Sequence, residues 1–139
     1  MDHISDQPRG TENPSEIWIA FADAPHVTLL RPLRAGFRHC FAVMKIGDMW
    51  VTIDPLMTGL SVMTHAAPAR FHLPNFLKRQ GLTVVRARKN KATARFYIPS
   101  PLTCVEVMKR ILTLRAPFVV TPWQLYKTLK KLDQKGDQE

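Results

Sequence analysis

The chain has 139 residues, 45% of them hydrophobic, with 20 Lys and Arg against 11 Asp and Glu for a net charge of +9. That length builds one domain with a real core, and the apolar content excludes a disordered chain. No apolar run approaches a membrane span, and no set of metal ligands has the spacing of a structural zinc site, so neither metal nor cofactor is expected.

Taken in chain order, residues 1–15 (MDHISDQPRGTENPS) are polar and aperiodic and read as a flexible leader without the apolar core of a signal peptide. With no such signal, Cys40 and Cys104 are expected as reduced thiols, and the location as cytoplasmic. EIWIAFA (16–22) is rich in β-formers and predicts a strand; VTLLRPLRAG (27–36) predicts a helical turn ending at Gly36. FRHCFAVM (37–44) and MWVTIDP (49–55) are strand-like runs around KIGD, a hairpin signal, and LSVMTH (60–65) continues the meander. LPNFLKRQG (73–81) predicts a short helix with Pro74 near its start and glycine at its stop. LTVVRAR (82–88) and ARFYIP (94–99) predict two further strands.

PSPLTCVEVMKR (99–110) follows, with Thr103 and Glu106 in the T-x-x-E pattern of a capping box. Thr103 as N-cap puts Cys104 at the first helical position, where the aligned peptide dipoles favour a thiolate. The helix is predicted to run to about Arg115, with Cys104, Met108, Ile111 and Leu112 on one stripe and Glu106, Lys109, Arg110 and Thr113 turned away. Thr121, Pro122 and Gln124 repeat the start signal for a last helix over 122–132 that buries Leu125, Tyr126, Leu129 and Leu132, and residues 134–139 read as a frayed tail. The expected class is α+β: one domain over 16–133, a mainly antiparallel sheet with the Cys-bearing helix packed on it.

The positive charge is uneven. No acidic residue lies between Asp54 and Glu106, while Arg86, Arg88, Lys89 and Lys91 crowd one predicted hairpin and form a candidate anion-binding group. Such a field attracts phosphate-bearing partners, or simply keeps a basic face solvated.

A thiol nucleophile needs a base and a group that orients the base. Of the five histidines, His3, His26, His65 and His72 carry no surrounding signal, whereas His39 sits within a strand. A two-residue turn at Ile46–Gly47 pairs Lys45 with Asp48 and sets His39 directly opposite Asp54, whose carboxylate would then hold the imidazole. Asp54-Pro55 also reads as a plain strand end. Cys40, next to His39, alternates to the other face and reads as a small buried hydrophobe beside Ala42 and Met44.

A histidine strand, a polar residue on the next strand and a cysteine at a downstream helix start resemble circularly permuted papain-like hydrolases, namely the permuted NlpC-type peptidases and the lecithin:retinol acyltransferase group. The likeness lies in GFRHCFAV, MWVTIDP and TCVEVMKRIL, and the block FVVTPWQLYKTL resembles bacterial proteins of this type. The chain differs from the acyltransferase group in having Asp54 where that group has a second histidine, and Thr103 where it has asparagine before the cysteine. The resemblance implies Cys104 as nucleophile, His39 as general base, Asp54 as its orienter, and the Cys104 backbone N–H in the oxyanion hole. The substrate would be a peptide or acyl compound. Two other readings stand beside it. One is a basic nucleic-acid-binding module using the Arg86–Arg95 hairpin with Phe96 and Tyr97; the other is an inactive papain-like scaffold docking through the Trp123–Leu132 helix.

Overall fold

The computed structural model describes residues 13–24, 33–56, 59–68, 70–90 and 103–137. Among the described residues five strands form one sheet in the order β4-β3-β2-β1-β5: β1 Glu16–Ala22, β2 His39–Ile46, β3 Met49–Leu56, β4 Gly59–Ala66 and β5 Thr83–Ala87. All four pairings are antiparallel. Among the described residues three helices accompany the sheet in an α+β fold: α1 Leu73–Arg79, α2 Cys104–Ile111 and α3 Pro122–Gly136. The turn expected over 27–36 lies mostly outside the described residues, and the strand expected over 94–99 lies wholly outside them.

Period-2 alternation gives the sheet two apolar faces. On one, Ile17, Ile19 and Phe21 of β1, Cys40, Ala42 and Met44 of β2, and Val85 and Ala87 of β5 pack against Val105, Met108 and Leu112 of α2 and Leu125 and Leu129 of α3. On the other, Ala20, Val43, Trp50 and Val84 pack with Leu73 at the start of α1. Burying these side chains contributes roughly 1.5–3 kcal/mol for each large aliphatic or aromatic one.

The hairpin between β2 and β3 differs from the expected register. Its two-residue loop is Gly47–Asp48, and Ile46 pairs with Met49. Gly47 takes φ +57° at the first loop position. A turn at Ile46–Gly47 would have asked a β-branched isoleucine for that left-handed conformation, which costs far more than it does for glycine.

Helix ends follow local signals. Gly81, at φ +92°, stops α1 as expected. His72 caps the start of α1 by accepting the Asn75 N–H at Nδ1 (3.3 Å), while its Nε2 meets Glu16 Oε2 at 3.2 Å. The Trp18 indole N–H also donates to Glu16, and that bond is the main cause holding the Glu16 carboxyl below its usual range. α2 stops at Ile111, earlier than expected. Thr113, at φ +50°, occupies the left-handed position usually given to glycine, with Thr113 N–H donating to Arg110 O and Leu114 N–H to Lys109 O. This is the Schellman pattern. The Thr113 hydroxyl donates to Asn90 O, with Leu112 O as its alternative acceptor, and Asn90 N–H donates to Leu112 O, tying the chain after β5 to the end of α2.

The capping box of α3 is complete, with Thr121 Oγ1 accepting from Gln124 N–H and Gln124 Oε1 accepting from Thr121 N–H. Thr121→Ala should cost about 1 kcal/mol and lower the thermal midpoint by several degrees, measured by circular dichroism; an unchanged midpoint would show that packing alone sets this end. α3 runs on to Gly136, so the expected tail begins inside a helix. Leu125 and Leu129 are buried as expected, but Leu132 is exposed.

Lys109 also differs from expectation. It is buried, because its ammonium donates to Ala116 O and Val119 O (both 2.9 Å) and pairs with Glu106 Oε1 at 2.6 Å. Glu106 therefore serves Lys109, and of the expected capping box at α2 the Thr103 hydroxyl to Glu106 N–H half is formed.

Candidate functional site

The pairing of β2 with β3 extends from Ile46–Met49 to Ala42–Ile53 and no further. Beyond it His39, Cys40 and Phe41 stay with β1, while Asp54, Pro55 and Leu56 stay with β4. The sheet thus forks. Pro55, which has no N–H to give a ladder, falls within the prong of β3. α2 packs against both β2 and β3, with Thr103 capping it so that Cys104 is its first residue.

In this fork the three side chains singled out in the sequence come together. His39 Nε2 lies 2.5 Å from Asp54 Oδ1. A carboxylate only accepts, so Nε2 carries the proton and Nδ1 is left for the Cys104 sulfur, with which the His39 ring is hydrogen-bonded. The contact between His39 and Asp54 was expected from a directly opposed pair. Extending the observed register by one step would put Asp54 opposite Phe41, diagonal to His39. A slip of two residues keeps both side chains on one face, which is why the pair survives the wrong register. Phe41 stacks beside His39, ring centroids 6.4 Å apart.

The electrostatics follow from these contacts. The Cys104 thiol is lowered to about 5, first by a hydrogen bond from the Cys40 side chain, then by His39 and the Cys40 backbone N–H, against the opposing effect of burial. His39 is raised above its ordinary value, chiefly by Cys104 and then by Asp54. Cys40 is pushed well up, by Cys104 first and by its own burial second. A thiolate at Cys104 facing an imidazolium at His39 is the resulting arrangement between the two values.

Sequence reasoning missed Cys40's part. Strand alternation does place it in the core with Ala42 and Met44, fully buried. What alternation cannot show is that the fork lets Cys104 reach both it and His39. The neighbouring HC pair in the sequence was the available signal.

Three of the four candidate anion-binding residues lie among the described residues. Arg86 lies over the Trp18 ring at 6.0 Å, Arg88 lies against Gly136 of α3, Lys89 is exposed, and Lys91 is outside the described residues, as are Phe96 and Tyr97. The proposed docking face of the last helix is covered in part, since Trp123 packs on Phe37 (4.8 Å) and carries the Arg34 guanidinium at 3.9 Å. Among the described residues no group of three His, Cys, Asp or Glu side chains is placed to hold a metal ion, and no helix is long and apolar enough to cross a membrane.

No protein-family model, curated protein or solved structure matches the chain.

Proposed function

We propose that the chain is a thiol hydrolase or acyltransferase acting on an amide, ester or thioester bond, with a permuted papain-like arrangement of its catalytic residues. The observation that carries this reading is the continuous chain of contacts from the Cys104 sulfur through His39 to Asp54 at a helix N-terminus. Each link has a chemical use. The Cys104 thiolate attacks the carbonyl carbon, the C=O electron pair moves onto oxygen, and the Cys104 backbone N–H, which has no partner within its helix, donates to that oxygen. Collapse of the intermediate expels the leaving group, which takes the proton from the His39 imidazolium. The product is an acyl thioester on Cys104. Water or another acceptor then attacks it, giving its proton to His39, and sulfur departs as the thiolate.

Asp54 acts on His39 rather than on the substrate. It fixes the tautomer and stabilises the imidazolium.

The test is acyl transfer from an activated thioester, read by intact mass. One acyl group per chain should appear on Cys104, Cys104→Ala should carry none, and turnover should follow on adding water or an amine acceptor. Labelling that persists in both Cys104→Ala and His39→Ala would overturn the reading.

A further inference from the structure

Cys40 contributes nothing to the scheme above, yet it neighbours the proposed nucleophile in the core. Two independent features set it there. Its side chain, 0% exposed, belongs to the core cluster against which Cys104 packs. Its backbone lies in the β2 prong of the fork, past the last β2–β3 pair, so no ladder to β3 takes its N–H, and α2 packs against this strand. The lowered Cys104 thiol, with the Cys40 side chain as its first cause and the Cys40 backbone N–H as a lesser one, agrees with that placement.

We propose that Cys40 is a positioning residue for the Cys104 thiolate, its S–H and backbone N–H both donating to that sulfur and holding it towards His39. The proposal rests on the thiol reading above and deepens it. No bond is made or broken at Cys40; its proton stays on its own sulfur.

Which thiol keeps the proton follows from position. Cys104 stands at the N-terminus of α2 beside the His39 ring, two features that favour its anion. Cys40 is enclosed by Ala42, Met44 and the apolar face of α2, where an anion would be poorly solvated. The other charged or titratable groups near the pair are engaged or distant in effect. Asp54 is held by His39, and Glu106 and Lys109 of α2 are bound to each other. Arg38 of the segment before β2 is bound to Asp23, and Tyr126 of α3 packs on Phe21 and Phe37. Arg110 of α2 has its own partner. A thiolate in this setting would lose a charge-assisted hydrogen bond if Cys40 lost its S–H.

The experiment is iodoacetamide alkylation of Cys104 across pH, followed by peptide mass, which requires no acyl turnover. In wild type the rate should rise at low pH. Cys40→Val, close in size but without a donor, should move the midpoint upward and slow alkylation at pH 6 by about tenfold. Cys40→Ser, which restores an O–H donor, should recover most of that loss. Equal midpoints in all three proteins, or Ser behaving like Val, would overturn the proposal. Ultraviolet thiolate absorbance of the wild-type chain supplies a measurement free of folding defects. One thiolate should form at low pH and the second only well above pH 9; both forming together near pH 9 would overturn it as well. Alkylation that follows this pattern in a chain that never accepts an acyl group would retain the thiol pair and remove only the acyl-transfer reading.

Discussion

His39→Ala is expected to slow acylation of Cys104 about 10³-fold, within the range that a positioned general base supplies. The loss has two sources. The attacking thiolate loses the imidazolium that stabilises it, and the leaving group loses its proton donor. The pH profile separates them. Wild-type reactivity should rise through a midpoint near 5, where the Cys104 thiol ionises, and fall as pH passes the raised value of His39. In His39→Ala the first limb should move upward and the second should vanish. Asp54→Asn should act through His39 alone and lower the falling limb, because the carboxylate helps to raise the ring. A His39→Ala profile identical in shape to wild type would show that the ring contact has no chemical consequence.

The same shifts bear on stability with opposite signs. The depressed Cys104 value makes its contribution complete above the unfolded thiol value of 9.0 and lost as pH falls through about 5. The raised His39 value makes its contribution complete below 6.5 and lost as pH climbs through the folded value. Both are present in part between these limits, in the window where the ion pair exists.

Lys109→Met is the substitution expected to destabilise the fold most, by about 3 kcal/mol, since removing one partner leaves buried polar groups unpaired. Methionine replaces the apolar stem, so the loss isolates the ammonium. The carbonyls of Ala116 and Val119, which Lys109 gathers, define the link that returns the chain from α2 to α3. Glu106 would at the same time be left without its cation. Urea unfolding followed by fluorescence of the three tryptophans should show a lower midpoint at similar slope. A cost below about 0.5 kcal/mol, typical of exposed sites, would mean that the ammonium acts as a surface charge. Glu106→Gln keeps the two carbonyl bonds and should cost less than Lys109→Met.

Several features of this protein were written locally in its sequence. Thr103, Thr121 and Gln124 mark helix starts because a capping side chain and the N–H it serves lie within three residues of each other. Gly81 marks a helix stop for a similar reason. The strands β1 to β5 showed through β-forming runs, and the antiparallel α+β class followed from them. Cys104, His39 and Asp54 could be named as candidates from residue type and position, Cys104 at a helix start and the other two on paired strand-like runs, although His39, expected within a strand, begins β2 and Asp54 lies inside β3.

Tertiary structure alone decided the rest, since it depends on contacts between residues far apart in the chain. Lys109 was placed on an exposed face by helical period, yet the loop after α2 folds back and offers it two carbonyls. Thr113 takes a glycine's role because Asn90, from the segment after β5, accepts its hydroxyl. His72 acquires a purpose when Glu16 arrives from the first strand. The register between β2 and β3 was set by Gly47 reaching a conformation that Ile46 resists. The fork was set by each strand keeping its outer neighbour after the inner ladder ends. Period-2 alternation assigns His39 and Cys40 to opposite faces, and it holds; only where two strands part can one sulfur touch both.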